Sequence, residues 1–203
     1  MAYYNSNFRN TEGYTQPNIN YILLGDSVLN NSVYVPDGNR VAQLIQNITT
    51  GEVLCLAKDS SVISSVYGQI SNIPDSLKTN NTKILLSVGG NNILNEDLKT
   101  LTSDVLKTIF SKYTTLVDTI QASSPNSQII LFDVYCPDKY HDYYNIVQQW
   151  NTLLYNYVLQ NNLKINLKLF KVSSILTSPD DFINDIEVSA SGGKKIISNL
   201  QQM

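Results

Sequence analysis

The sequence predicts an α/β fold: three α/β/α layers around a five-stranded parallel sheet in the flavodoxin-like order 2-1-3-4-5. Three observations carry that prediction. Short apolar runs suited to buried strands alternate with longer stretches of helical spacing, the pattern of a parallel sheet covered on both faces. The 203 residues suffice for one sizeable core. Right-handed crossovers then leave few ways to order five such strands.

Residues 1–20 are polar, rich in Tyr and Asn and without a period, and read as a flexible lead-in to a single domain over 21–203. The first strand, 21–25, runs into Gly25-Asp26-Ser27 and a polar loop, Asn30-Asn31-Ser32. After a turn at Pro36-Asp37-Gly38, Val41, Leu44, Ile45 and Ile48 recur at helical spacing. Residues 52–56 form a second strand, ending at Ala57-Lys58-Asp59-Ser60, and a helix through Val62, Val66 and Ile70 closes at Pro74. The third strand, 83–88, breaks at Gly89-Gly90-Asn91-Asn92. A helical region over 96–121 offers Leu98, Leu101, Val105, Ile109, Leu116 and Ile120 as its apolar face. Residues 127–134 make the fourth strand, 142–160 a helix, 164–170 the fifth strand and 189–200 the last helix. No internal repeat or low-complexity linker interrupts the series.

Composition narrows the function classes. Apolar residues make up 42% and charged residues only 15%, so the domain relies on uncharged polar groups. A net charge of −3 without a Lys/Arg run gives no electrostatic reason to expect nucleic acid or an anionic membrane. No stretch approaches the roughly 18 apolar residues of a membrane span. The amino terminus lacks signal-peptide features, which makes the cytoplasm the default expectation. Cys55 and Cys136 lie in apolar stretches without metal-type spacing and read as reduced thiols. One histidine in the chain argues against a His-based metal site, and no cofactor is expected. Both G-x-x-x-x-G-K and G-x-G-x-x-G are absent, which leaves a phosphate-binding module without its loop.

In the order 2-1-3 the first three strands are neighbours, so Ser27, Ser60 and Asn91 at their carboxyl ends converge where open α/β sheets bind ligands. Acyl transfer needs such a set: a serine oxygen attacks, while backbone N–H groups and a side-chain amide stabilise the developing oxyanion. An asparagine amide suits this because it donates without titrating. Ser27 and Asn91 also have plain structural readings, the first as a helix cap or turn residue and the second as a turn residue after two glycines.

The runs I-L-L-G-D-S at 22–27, L-A-K-D-S-S at 56–61 and L-S-V-G-G-N-N at 86–92 resemble the first three blocks of the SGNH/GDSL hydrolase family. The resemblance covers roughly residues 21–200. It implies Ser27 as nucleophile, and Ser27, Ser60 and Asn91 as the oxyanion hole. Ser60 stands where the family has glycine, which keeps the N–H and adds a hydroxymethyl group. Asn92 stands where aspartate is frequent, in an auxiliary, structural role. The family closes with D-x-x-H before a helix. Aligning Ser189-Ala-Ser-Gly-Gly-Lys-Lys195 with that helix sets Glu187 at the histidine and Asn184 at the aspartate; a shift by one sets Val188 and Asp185 there. Neither supplies the histidine, and I-E-V-S resembles a bacterial subset reading I-E-P-S.

Glu187 is therefore a candidate general base, with Asn184 or Asp185 as auxiliary groups, or else a polar residue capping the last helix. A glutamate base works with about two pKa units, or about 3 kcal/mol, less driving force than imidazole, part of which burial recovers. His141, in the loop after the fourth strand, reads as a surface residue outside the site. The expected function is serine hydrolysis of small esters or acyl groups with a modified last block. The alternative is a catalytically silent relative that binds an acylated, glycan or protein ligand, for which Tyr140, Tyr143 and Tyr144 offer stacking surfaces.

Overall fold

A parallel strand covered on both faces must be apolar at consecutive positions, and the runs Tyr21–Leu24, Ile84–Leu86 and Ile129–Phe132 meet that requirement. The computed structural model describes residues 16–203 apart from Leu163. Its sheet strands are β1 (Asn20–Gly25), β2 (Val53–Cys55), β3 (Thr82–Ser87), β4 (Gln128–Phe132) and β5 (Leu167–Phe170). All pair in parallel, in the order β2-β1-β3-β4-β5. The helices are α1 (Val41–Gln46), α2 (Ile63–Ile70), α3 (Gly90–Leu94), α4 (Ser103–Ser123), α5 (Tyr144–Asn161) and α6 (Ala190–Leu200). A small antiparallel hairpin, β6 (Phe182–Ile183) and β7 (Glu187–Val188), lies apart from the sheet.

Alternation along the strands divides the core in two. Ile22, Leu24, Ile84, Leu86, Ile129 and Leu131 pack with residues of α2, α4 and α5, among them Val66, Tyr113, Leu116, Trp150 and Leu154. Leu23, Leu85, Ile130 and Phe132 face the other way, onto Val41 and Ile45 of α1 and Ile196, Ile197 and Leu200 of α6. The sheet is thus covered on both sides in three layers, as the sequence predicts. Each fully buried aliphatic side chain contributes about 1.5–3 kcal/mol.

Three elements differ from the sequence reading. The helix expected over 96–121 starts at Ser103, because Asp97 closes a turn with Thr100 and Leu101 and the Thr102 hydroxyl then accepts the Val105 N–H at 3.3 Å. Leu101 is buried but precedes the helix, so apolar spacing alone overran its N-cap. The short α3 after β3 and the β6–β7 hairpin have no periodicity to reveal them. The lead-in expected over 1–20 lies, for residues 1–15, outside the described residues. Beyond it, the Thr49 hydroxyl accepts the Ile19 N–H at 3.1 Å, the Thr50 N–H reaches the Pro17 carbonyl at 3.1 Å, and Asn20 already opens β1. Cys55 and Cys136 are both free thiols. Among the described residues no helix is long and apolar enough to cross a membrane.

Candidate active site

The carboxyl end of β1 is built for a sharp departure from the sheet. Gly25 has φ +115°, and a Cβ there would stand 1.7 Å from the Ser87 carbonyl oxygen, so no other residue fits. Asp26 keeps one more bond to β3, N–H to the Ser87 carbonyl at 2.9 Å, and its own carbonyl accepts from Leu29 and Asn30. The Asp26 carboxylate, nearly fully buried, accepts from the Val28 N–H at 3.2 Å and the Ser87 hydroxyl at 3.0 Å. Burial pushes its pKa up to about 7; the Ser87 and Val28 bonds oppose the shift and the Glu187 charge adds to it. Ser27, only 9% exposed, follows at the wall of a crevice of about 670 Å³ counted with its open mouth.

That crevice gathers part of the expected set. Ser27, Asn91 and Glu187 line it together with Asp26, Asp133, Tyr135, Tyr140 and Tyr143, against apolar walls from Val28, Val88, Ile93, Leu94, Val134 and Val147. Asn91 sits on α3 and its amide donates to the Ser61 carbonyl at 3.0 Å. Gly89, just before, has φ +123°, and a Cβ there would meet the Trp150 ring at 2.5 Å. Asn92 points elsewhere: its Oδ1 accepts the Ile63 N–H at 3.0 Å, at the start of α2.

Ser60 is exposed, and its hydroxyl turns to Asp59 at 3.3 Å. It has φ +58°, a conformation costly for a residue with a Cβ and natural for glycine, the residue of the resembling pattern. Its side chain does not line the crevice. Among the described residues, neither the Ser27 N–H nor the Ser60 N–H has a protein acceptor.

Glu187 reaches the site on β7. The half-buried side chain lines the crevice, and its Oε2 is buried without a hydrogen-bond partner among the described residues. Burial holds its carboxyl above the usual range; the adjoining Ser27 and Tyr34 hydroxyls pull it down, and the Asp59 charge raises it. The carbonyls on both sides of Glu187 are held. Tyr135 donates to the Ile186 oxygen at 2.7 Å, and Asn31 Nδ2 donates to the Val188 oxygen at 3.1 Å. Asn31 also accepts the Val41 N–H at 3.0 Å, so the loop after Ser27, α1 and the last block share one buried side chain. Capping of α6 falls to Ser189, whose hydroxyl accepts the Gly192 N–H at 3.1 Å and donates to the Asp180 carbonyl at 2.6 Å. The capping reading of Glu187 is thereby replaced.

Asn184 and Asp185 do not join Ser27. They occupy the two positive-φ positions (+50° and +68°) of the turn closing β6–β7, with the Ile186 N–H on the Ile183 carbonyl at 3.3 Å. Asn and Asp are the non-glycine residues that tolerate this conformation, which explains their presence without a catalytic role. Both are exposed and line a neighbouring groove, where Asp185 pairs with Lys139 at 2.7 Å. His141 is exposed, stacks on Tyr144 with ring centroids 5.7 Å apart, and does not line the crevice.

Other polar residues escaped sequence reasoning. Asp133, at the end of β4, lines the crevice and holds Ser173 through its N–H and hydroxyl; burial raises its pKa, against those bonds. Tyr34 donates to Asp59 at 2.7 Å. Gln69, buried on α2, is bonded to Gly25. A polar residue on an otherwise apolar helical face was the available signal for Gln69; Asp133 follows an apolar run just as Asp26 does.

The fold and crevice define a class: a three-layer α/β/α domain with a serine at the end of its first strand, at the wall of a crevice. Comparison with solved structures narrows this to the fold of the lipolytic G-D-S-L proteins. A member of that family from Veillonella parvula DSM 2008 superposes with a TM-score of 0.71 at 16% identity, covering 91% of this chain and 97% of that one. The Clostridium thermocellum family 3 carbohydrate esterase gives 0.65 at 17% identity, covering 91% and 94%. The esterase EstA from Pseudoalteromonas sp. gives 0.63 at 17% identity, covering 90% and 94%. No protein-family model matches the sequence, and no curated protein matches it.

Proposed function

We propose that the protein is a serine hydrolase of small esters or acyl groups, with Ser27 as nucleophile and Glu187 as general base. One observation carries the reading: a buried strand-end serine adjoins a carboxylate whose Oε2 has no partner among the described residues, at the wall of one largely apolar crevice. In the proposed reaction Glu187 takes the Ser27 hydroxyl proton as Oγ attacks the acyl carbon. The oxyanion is held by the Ser27 and Ser60 N–H groups and the Asn91 amide. Collapse expels the alcohol, which receives the proton from Glu187 and leaves an acyl-serine. Water, deprotonated by Glu187, then releases the acid and restores Ser27.

The lining also bears on substrate. Among the described residues, three carboxyl groups face the crevice, and Lys, Arg and His are absent from its lining. A carboxylate or phosphate on the substrate would be desolvated among like charges, so a neutral ester with a compact apolar arm fits best.

Labelling tests the reading. A fluorophosphonate probe should modify Ser27, mapped by mass spectrometry, and Ser27→Ala should abolish both labelling and ester turnover. The alternative, a silent site that binds an acylated, glycan or protein ligand, has one observation in its favour: Glu187 Oε2 is buried with no hydrogen-bond partner among the described residues, as a carboxylate awaiting a ligand donor would be. An unlabelled Ser27, under conditions that saturate an ordinary serine esterase, selects that alternative.

A further inference from the structure

Gly25 is the last residue of β1, and its N–H and C=O point toward the β2 side of the sheet. The β1–β2 pairing ends at Leu23 and Cys55, so β2 offers no acceptor for the Gly25 N–H. Gln69 takes that place. Its Oε1 accepts the Gly25 N–H at 2.7 Å and its Nε2 donates to the Gly25 carbonyl at 2.9 Å. The side-chain amide, a peptide group in all but attachment, supplies the acceptor that β2 does not, and shares the Gly25 carbonyl with the Lys58 N–H, which reaches it at 2.9 Å from the segment after β2. The same Nε2 lies 3.2 Å from the Ser61 hydroxyl, and the Ser61 carbonyl accepts the Asn91 amide at 3.0 Å.

We propose that Gln69 is the positioning residue that sets the nucleophile turn and the oxyanion side at one spacing, through Gly25 on one hand and Ser61 and Asn91 on the other. The inference rests on the hydrolase reading and adds a residue that touches neither substrate nor Ser27. Gln69 is 4% exposed on the face of α2 that also buries Ile63, Val66 and Ile70. A buried amide there is costly unless every group is paired. Leucine would pack that face equally well, so packing alone does not call for glutamine. Its value lies in which backbone it reads: the residue two before the nucleophile. Ser27 has little freedom once Gly25 is fixed, because Asp26 between them is bonded to Ser87. A displacement of the turn by a fraction of an ångström moves Oγ relative to the Asn91 amide, and such errors act on the transition state more than on ground-state binding.

The test uses the whole chain, p-nitrophenyl butyrate and the fluorophosphonate probe. Gln69→Leu keeps the volume and loses all three bonds; we expect kcat and the rate of Ser27 labelling to fall 10- to 100-fold, with KM within about twofold of the parent. Gln69→Glu keeps the acceptor for Gly25 and loses the donors unless protonated. Its activity relative to the parent should therefore rise as pH falls, a signature that a packing defect does not produce. An active parent whose folded Gln69→Leu variant matches it in kcat overturns the proposal alone. So does a Gln69→Glu ratio that stays flat with pH, which decides the matter should the leucine variant not fold. A parent inert toward both ester and probe overturns the hydrolase reading, and the proposal with it.

Discussion

The two sides of the crevice are held in different ways. Ser27 leaves the sheet from β1, which has a strand on each flank and whose Tyr21–Leu24 are fully buried. Backbone pairing and a glycine that tolerates no replacement fix its position. Glu187 rides on a hairpin of two residue pairs outside the sheet, and side chains hold it: Tyr135 and Asn31 on the flanking carbonyls, Ser189 on the helix that follows. One half of the site is set by sheet pairing, the other by local hydrogen bonds and the burial of Val188 beside Glu187. The place of the strand-end serine is therefore set independently of the residue opposite it.

The largest effect should come from Glu187 itself. Glu187→Gln preserves shape and removes the basic oxygen, and turnover of a neutral ester should fall about 1,000-fold, within the range of a lost general base. In the parent, activity should climb with pH through the raised Glu187 pKa and then level off, since only the ionised carboxylate accepts the proton. A Glu187→Gln enzyme with parental kcat and the same pH profile would move the base off the hairpin.

Asp26 probes the sheet side by stability. Its pKa is raised to about 7, so between about pH 4 and 7 the folded state holds a proton that the unfolded chain has released. Stability supplied by the protonated form is complete at low pH and is lost as pH rises through that window, by at most about 4 kcal/mol. Urea unfolding from pH 4 to 8 should show this slope, and Asp26→Asn should flatten it. Parallel curves for parent and variant would place the titration elsewhere.

Asn91→Ala should reduce kcat about 100-fold while leaving the melting temperature nearly unchanged, as for loss of one oxyanion donor. Full activity in a stable variant would reduce Asn91 to a tie between α3 and Ser61. Tyr135→Phe removes the donor to the Ile186 carbonyl and should cost about tenfold in kcat, with about 1 kcal/mol of stability. If it loses stability and no activity, the clamp on the hairpin is structural only. The smallest effect belongs to His141→Ala, which should stay within about twofold of the parent. A thousandfold loss there would overturn the assignment of the base to the last block.

The same contrast explains what was legible in the sequence. The strands of the sheet announced themselves because a doubly covered parallel strand has to be apolar throughout, and crossover handedness left few orders, of which the flavodoxin-like one is observed. Ser27 and Asn91 were readable as polar residues placed where such strands end. The hairpin side was not. Two-residue strands have no period, and Asn184 and Asp185 looked like auxiliary groups because the residues that serve a positive-φ turn are also those that serve catalysis. Ser60 showed a departure from the resembling pattern, but only the backbone reveals that its position asks for φ +58°. Gln69 was passed over because helical spacing tallies apolar positions and ignores a polar one among them.

The hairpin outside the sheet has a consequence for the order in which the molecule comes apart. Two residue pairs and a handful of side-chain bonds should open at lower free energy than a central strand does, so the last block is expected to loosen first, with buried Val188 as its anchor. Warming or dilute urea should silence the protein while the sheet stands, and cooling or dilution should restore it, with Ser27 unmoved throughout. Working life would then be governed by the half-life of a seven-residue loop rather than by the unfolding of the domain.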